Sequence, residues 1–163
     1  MSFHALGPHP ITTIGVISDT HGLLRPEAFR ALKNSHLIIH AGDIGHPDIL
    51  TQLNTLAPVL AVKGNNDRGA WADSLPETES TTIHGRHIFV IHDIKQFKTD
   101  PIHSPFTIVI SGHSHKPTVT ERNNILFLNP GSAGPRRFSL PISLARIDIE
   151  GLTLSHQFIH LPQ

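Results

Sequence analysis

The sequence predicts an α/β domain in which two β-sheets pack face to face and helices cover the outside. In the first half of the chain, apolar β-rich runs alternate with helical patterns, which favours parallel strands covered by helices. In the second half, apolar runs follow one another without helical patterns, which favours a second sheet packed on the first. The length of 163 residues suits one compact domain, predicted over residues 11–163 behind a flexible tail over residues 1–10.

The first half is predicted to contain three strands and two helices. The apolar runs are Ile11–Ile17, His36–His40 and Pro58–Val62. Pro26 opens a helical pattern that runs to about Asn34, and Pro47 opens another that runs to about Asn54. Proline suits the first turn of a helix, so both starting points are well marked.

The second half is predicted to consist of short strands and hairpins. The stretch TESTTIHGRHIFVIHD indicates a hairpin that turns at Gly85–Arg86. Alternating apolar residues around Gly151 indicate a closing hairpin. The short strands expected between these hairpins are Thr107–Ile110, Thr118–Glu121 and Ile125–Leu128.

The composition excludes several classes of function. Thirteen basic and thirteen acidic residues balance, so neither a general nucleic-acid binder nor a polybasic membrane segment is expected. The absence of cysteine excludes disulfides, thiolate zinc sites and thiol catalysis. No apolar run approaches a membrane-spanning length, and the N-terminus does not have the pattern of a signal peptide. The expected location is therefore the cytoplasm. The sequence does not indicate which oligomeric state the protein adopts.

The unusual feature of the composition is its 14 histidines, several of which directly follow predicted strands. The run Ile108–Ile110 is followed by SGHSH, and the other runs end in SDTHG, HAGD, KGNND and HD. In α/β sheets the binding crevice lies outside the carboxyl ends of the strands, so these five loops should converge. The side chains that they would bring together are Asp19, His21, Asp43, Asn65, Asn66, Asp67, His92, His113 and His115.

Turn formation explains part of this pattern but does not explain the histidines. Asp and Asn are common after strands because they form turns and cap helices, and Asp67 in particular suits a turn cap. Carboxylate, imidazole and amide ligands without thiolate suit Mn, Fe, Zn, Co or Ni in five- or six-coordinate sites. Without Asn66 and Asp67, seven candidate ligands remain. Seven are too many for one ion and fit two ions that share a carboxylate, an arrangement that serves hydrolysis at phosphorus.

In this order, the motifs DTHG, GD, GNND, a single histidine, GHSH and NPGS resemble those of the calcineurin-like metallophosphoesterases. The small size, and NPGS at Asn129–Ser132, resemble the compact bacterial phosphodiesterase branch, and the resemblance covers the chain from about Ile11 to Phe158. It implies a four-layer α/β/β/α sandwich of two mixed β-sheets flanked by helices. It also implies a dinuclear metal-dependent phosphodiesterase that cleaves a small phosphodiester through a metal-bridging hydroxide, with manganese as the first choice of metal.

The resemblance further implies which residues act in the site. The first ion would be held by Asp19, His21, Asp43 and His115, and the second by Asp43, Asn65, His92 and His113, with Asp43 bridging. Catalytic roles are expected for Asp43, Asn65, Asn66 and Asp67, and substrate binding is expected for Asn66, Arg136 and Arg137. The two arginines could form a fork to the phosphate oxygens, and they suit solvated surface positions equally well. Two divalent ions, two carboxylates and one hydroxide leave a net charge of about +1 for an anionic phosphoryl group.

The sequence departs from the family pattern in one place that concerns proton transfer. Many family members have a histidine general acid where this chain has Asn66, which cannot deliver a proton. His46 and Asp93 are candidates to replace it, and Asp93 itself stands where relatives commonly have glycine.

Two alternative functions are compatible with this fold. One is a non-catalytic protein-interaction scaffold, as in a retromer subunit that the fold also resembles, and the other is a phosphomonoesterase. A scaffold can lose its ligands freely, so the retention of every expected ligand position favours an enzyme.

Overall fold

The computed structural model describes residues 10–98 and 104–163, and in these residues the chain forms ten strands and three α-helices. The strands are β1 (Ile11–Ile17), β2 (Leu37–His40), β3 (Val59–Ala61), β4 (Thr78–Ile83), β5 (Arg86–Ile91), β6 (Ile108–Ile110), β7 (Thr118–Arg122), β8 (Ile125–Asn129), β9 (Ser143–Glu150) and β10 (Thr153–His160). The helices are α1 (Pro26–Ala31), α2 (Pro47–Asn54) and α3 (Ala70–Asp73), and a 3-10 turn spans Ile94–Gln96.

The strands form two mixed five-stranded sheets. The first sheet has the order β10-β9-β1-β2-β3, and the second has the order β4-β5-β6-β8-β7. In the first sheet β1, β2 and β3 are parallel to one another, and in the second sheet β5, β6 and β8 are parallel. Parallel strands end at the same edge of a sheet, so the loops that follow them are placed side by side.

Two apolar cores hold the layers together. Val16, Ile39, Val90 and Ile110 belong to the core between the two sheets. Ile17 and its neighbours face the opposite way and form a second core against the helices, because successive residues of a strand point to opposite faces. The helical partners in this second core include Ala28, Leu32, Ile49 and Leu53. The outer face of the second sheet carries an aromatic cluster, in which the rings of Phe89 and Phe106 lie 4.7 Å apart.

The predicted fold class is confirmed: two mixed β-sheets pack together with flanking helices. The limits of β1 and α2 agree with the sequence prediction, whereas α1 ends at Ala31 instead of about Asn34. The first hairpin turns at His84–Gly85, one residue earlier than predicted, and both residues have positive φ. Neither α3 nor the 3-10 turn was predicted from the sequence, because four and three residues are too few to show helical periodicity.

None of the described helices is long and apolar enough to cross a bilayer. Residues 1–9 of the predicted tail lie outside the described residues, as do residues 99–103. The tail, the domain limits and the cytoplasmic location therefore stay predictions.

Candidate metal centre

The polar loops that follow the strands are joined to one another by backbone hydrogen bonds. The Asp19 N–H donates to the Gly42 carbonyl (3.0 Å), and the His21 N–H donates to the Asp43 carbonyl (2.9 Å). These two bonds connect the loop after β1 with the loop after β2. The Gly112 N–H donates to the His92 carbonyl (2.9 Å), which connects the loops after β5 and β6 in the second sheet. The loops are thus held close to one another by the backbone.

Asp19, His21 and His115 form what we call the first half of the centre. The Nε2 atoms of His21 and His115 lie 3.2 Å apart. Asp19 Oδ1 is 3.3 Å from His115 Nε2 and 3.8 Å from His21 Nε2. This buried carboxylate oxygen accepts no hydrogen bond from any described residue. Two imidazole nitrogens and an oxygen without a donor therefore point at one small volume.

Asn65, His92 and His113 form the second half of the centre. Asn65 Oδ1 lies 3.0 Å from His92 Nε2 and 3.1 Å from His113 Nδ1. The other ring nitrogen of His92 lies 2.7 Å from the Ala41 carbonyl, which can only accept, so Nδ1 carries the proton. A histidine held in this way presents its Nε2 as a ligand, which is the usual arrangement around protein-bound metals.

Asp43 lies between the two halves. Its Oδ2 is 3.4 Å from His92 Nε2 and 3.8 Å from His21 Nε2. Asn66 holds this carboxylate from the other side: its backbone N–H donates to Oδ1 (2.8 Å) and its Nδ2 donates to Oδ2 (2.9 Å). Asn66 therefore orients Asp43 in the described structure, and its predicted catalytic and substrate-binding roles stay predictions.

The pKa directions differ among the side chains of the centre. Burial alone would raise the pKa of the Asp43 carboxyl, but hydrogen bonds from His92 and Asn66 outweigh burial and lower it. Burial would lower the pKa of His92, but its hydrogen bonds to Asp43 and to the Ala41 carbonyl raise it. At His21 burial prevails over the nearby carboxylates, and the pKa is lowered.

Unusual backbone conformations are concentrated in the same loops. Nine non-glycine residues among those described have a positive φ, and five of the nine are predicted metal ligands. These five are Asp19, His21, Asp43, His113 and His115, with φ between 45° and 70°. Each such conformation costs about 1–3 kcal/mol and persists only where the surrounding structure enforces it. Strain of this kind clusters at functional sites, which supports the choice of these loops.

A buried histidine that the sequence analysis missed braces the loops after β1 and β2. The Gly42 N–H donates to His40 Nδ1 (3.2 Å), so the ring proton is on Nε2, which lies 3.0 Å from Thr20 Oγ1. Thr20 Oγ1 in turn donates to the Ile44 carbonyl (2.8 Å). Complete burial lowers the pKa of His40 to about 4, so the ring is neutral near pH 7. The sequence signal for this role was that His40 belongs to the apolar run of a predicted buried strand, where a polar side chain needs hydrogen-bond partners.

Asp67 also braces loops. Its Oδ1 accepts the Gly45 N–H (2.9 Å) and its Oδ2 accepts the Gly64 N–H (2.8 Å). Both oxygens of this buried carboxylate are therefore engaged by backbone amides. This geometry matches the turn-capping alternative considered for Asp67, and the catalytic role of this residue stays a prediction.

The NPGS motif supports the loops that carry Asp19 and the GHSH histidines. The Ser132 hydroxyl donates to the Asp19 carbonyl (3.0 Å). Asn129 Nδ2 donates to the Gly112 carbonyl (2.7 Å) and lies 3.0 Å from Ser114 Oγ. This motif therefore acts through the ligand loops that it holds in place.

The two arginines that follow this motif differ in position. Arg136 Nε donates to the Leu140 carbonyl (3.4 Å), so this side chain folds back on its own loop. Arg137 is exposed, and its positive charge is a minor cause of the lowered pKa of His21, after burial. Substrate binding stays a prediction for both residues.

The two candidates for a replacement acid differ in the same way. His46 caps α2, since its Nδ1 accepts the Asp48 N–H (3.2 Å). Asp93 lines a cavity together with His92 and His113. Asp93 is therefore the candidate that lies at the centre.

The residues present fit divalent metal ions. Four imidazoles, two carboxylates and one amide oxygen match the donor preferences of Mn, Fe, Zn, Co or Ni. Carboxylates and imidazoles of both halves form clusters whose donor atoms lie within 4.8 Å of one another. Asp19 Oδ1 is buried and accepts no hydrogen bond from the described residues, a costly situation that a cation would relieve. Two ions would be held by the ligand sets predicted above, with Asp43 shared.

The fold, the loop motifs and the donor set define a metal-dependent phosphoesterase. The family model of the calcineurin-like phosphoesterase superfamily domain matches residues 13–152, and the chain belongs to this family. A probable metallophosphoesterase of Methanothermobacter thermautotrophicus is 40% identical in an alignment 152 residues long that covers 85% of this chain and 88% of the relative. A phosphodiesterase of Methanocaldococcus jannaschii is 31% identical over 137 residues, 72% of this chain and 82% of the relative.

A solved structure with a different name shares the fold. Vps29 from Chaetomium thermophilum superposes with a TM-score of 0.79 at 20% identity, covering 93% of this chain and 89% of that one. At this level of identity the likeness shows the fold alone. The same architecture of two sheets and flanking helices is therefore found both in this chain and in Vps29.

Proposed function

We propose that this protein is a dinuclear metal-dependent phosphodiesterase. The observation that carries the proposal is the placement of seven predicted ligands in two halves that meet at Asp43. The identity to a relative named phosphodiesterase supports the ester class. Retention of the complete ligand set argues against a scaffold role of the kind considered from the sequence.

The chain contributes ligand placement and orientation to the proposed reaction. When bound, two divalent ions supply Lewis acidity and lower the pKa of water toward ~7, which provides a nucleophile at neutral pH. Asn66 and His92 orient Asp43. Arg137, whose positive charge contributes to the lowered pKa of His21, is the proposed partner of the phosphate oxygens. Fixed charges and oriented donors of this kind supply most of the catalysis in phosphoryl transfer.

The test is reconstitution of metal-free protein, followed by turnover of matched aryl esters. We expect no activity after chelation and recovery on addition of two equivalents of Mn²⁺, Fe²⁺, Zn²⁺, Co²⁺ or Ni²⁺ per chain, compared one metal at a time. Bis-p-nitrophenyl phosphate should be hydrolysed at least about tenfold faster than p-nitrophenyl phosphate, as kcat/KM. The control variant is His156→Ala, which removes an exposed histidine of β10 and should change neither metal content nor rate.

The other outcomes identify the competing functions. Faster turnover of the monoester would establish a phosphomonoesterase. Stable protein that binds no metal and turns over neither ester would leave the scaffold function as the better explanation.

A further inference from the structure

A cavity of about 330 Å³ lies directly beside the second half of the centre. Its walls include Asn65, His92 and His113, so a group bound there would adjoin the predicted metal ligands. The remaining polar wall is formed by Lys63, Glu77, Asp93 and Gln96, together with Asp67, whose two oxygens are already engaged by backbone amides. Its volume is at the lower end of the range for small-molecule sites, which suits a group of only a few heavy atoms.

The charges around this cavity favour a ligand that donates hydrogen bonds. Lys63 Nζ lies 2.9 Å from Asp73 Oδ1, so its positive charge is already balanced by a carboxylate outside the cavity. Within residues 10–98 and 104–163, Glu77 forms no ion pair and has an exposed side chain. Asp93 accepts the Lys95 N–H through Oδ1 (3.0 Å), which leaves its other oxygen available. The wall is therefore rich in acceptors and carries net negative charge.

We propose that this cavity binds one alcohol moiety of the phosphodiester and selects a polyol or an amino alcohol. Hydroxyl or ammonium groups would donate to the carboxylates of Glu77 and Asp93 and to the side-chain amide oxygen of Gln96. An alkyl group of the same size would cover these acceptors without satisfying them, which costs affinity. A second anionic group would be repelled by both carboxylates. This inference rests on the proposed function, because it names the substrate class of the same site.

The experiment uses the metal-loaded protein and p-nitrophenyl phosphodiesters that share one leaving group. The second alcohol is glycerol, ethanolamine or n-propanol. We expect the KM of the glyceryl and aminoethyl esters to be about tenfold below that of the propyl ester. Glu77→Ala should reduce this difference to about threefold or less. The matched control is Glu150→Ala, since Glu150 pairs with Ile11 at the start of β1, away from the strand ends that carry the site.

The results separate this inference from the proposed function. Equal KM values for the three esters would overturn the inference while the hydrolysis itself upholds the phosphodiesterase. If no ester is hydrolysed, the proposed function fails. The cavity assignment is then tested by calorimetry, which compares the affinities of glycerol phosphate and propyl phosphate. Tighter binding of glycerol phosphate that Glu77→Ala removes would support the cavity assignment, and equal binding would overturn it.

Discussion

The two halves of the metal centre differ in how many of their polar atoms already have partners. In the second half, His92 contacts the Ala41 carbonyl and Asn65, and Asn65 also contacts His113. In the first half, Asp19 Oδ1 and His115 Nδ1 are buried and have no hydrogen-bond partner among the described residues. The second half is therefore organised by the protein itself, whereas the first half contains polar atoms whose burial is not compensated.

This difference predicts where a metal contributes most to stability. A buried polar atom without a partner costs about 1–3 kcal/mol, and a cation would remove that cost in the first half. In the second half, a cation would replace contacts that the side chains already make with one another. Metal binding should therefore stabilise the first half more than the second, and removal of metal should destabilise the first half more.

The largest effect is expected from Asp43→Asn, which removes the charge shared by both halves. We expect kcat/KM to fall by at least about 10³-fold and both ions to bind more weakly, because the carboxylate lies near His21 and His92. Steady-state kinetics and elemental analysis of the purified variant measure the two effects. Asp48→Asn, at an exposed position of α2, is the control. Near-normal turnover of Asp43→Asn would contradict the dinuclear proposal.

A second large effect concerns His40, which braces both loops and belongs to neither half. Its folded pKa of about 4 lies below the ordinary value of 6.5, so the unfolded chain binds more protons between these values. Stability of the metal-free protein should therefore fall as the pH drops from 6.5 to 4, with about 3 kcal/mol from this residue. Urea unfolding across this range measures the slope.

The comparison variant for this slope is His40→Gln. It removes the titrating ring, so its free energy of unfolding should be lower near pH 7 and should change less between pH 6.5 and 4. Identical slopes for the two proteins would show that His40 does not titrate as described.

The contrast between the two halves can be tested with one histidine from each. In metal-free protein, His92→Ala removes contacts to Ala41 and Asn65 and should cost about 1–3 kcal/mol of unfolding free energy. His115→Ala removes a ring with an unpartnered nitrogen and should cost less. Thermal unfolding with and without Mn²⁺ provides the measurement. Without metal, His92→Ala should lower the Tm more than His115→Ala. The increase in Tm on addition of Mn²⁺ should instead be reduced more by His115→Ala than by His92→Ala. An equal loss of stability in both metal-free variants would remove the distinction between the halves.

The smallest effect concerns proton delivery to the leaving group, where Asn66 replaces a histidine. We expect a steep dependence of rate on leaving-group pKa, with aryl diesters cleaved faster than alkyl diesters. Asn66→His should raise alkyl-ester turnover relative to aryl-ester turnover by about tenfold, which is below the ~10²–10⁴-fold typical of a positioned acid because the new imidazole has no partner selected to orient it. Because this change also removes the Asn66 Nδ2 bond to Asp43, metal content must be measured for each protein. A flat rate across the diester series would show that another residue, such as Asp93, supplies the proton.

Periodicity and residue type predicted the sheets and the loops that carry the candidate site. The strand limits followed from apolar runs, and the histidines stood out because turn chemistry does not require them. The roles of Asn66, Asp67 and His40 did not follow, because a sequence shows residue types but not side-chain directions. Asn66 and Asp67 are neighbours in one motif, yet Asn66 donates to Asp43 while Asp67 accepts from Gly45 and Gly64. The short α3 was missed because local periodicity needs more residues than its four.

Two glycines show how closely the ligand loops approach one another. A Cβ at Gly64 would overlap the Asp43 backbone and carboxylate, and a Cβ at Gly112 would overlap the Ser18 hydroxyl. Even alanine at these positions would force the loops apart and shift the ligands.

Evolution of this protein is therefore constrained unevenly. The loops that hold the ligands allow almost no drift, because each is in backbone contact with another. The exposed Glu77 and Gln96 of the cavity wall carry no such restriction. If the cavity binds the alcohol as proposed, a few substitutions in that wall would change which alcohol is accepted without moving the ligand loops, and a laboratory search for new substrates should begin there.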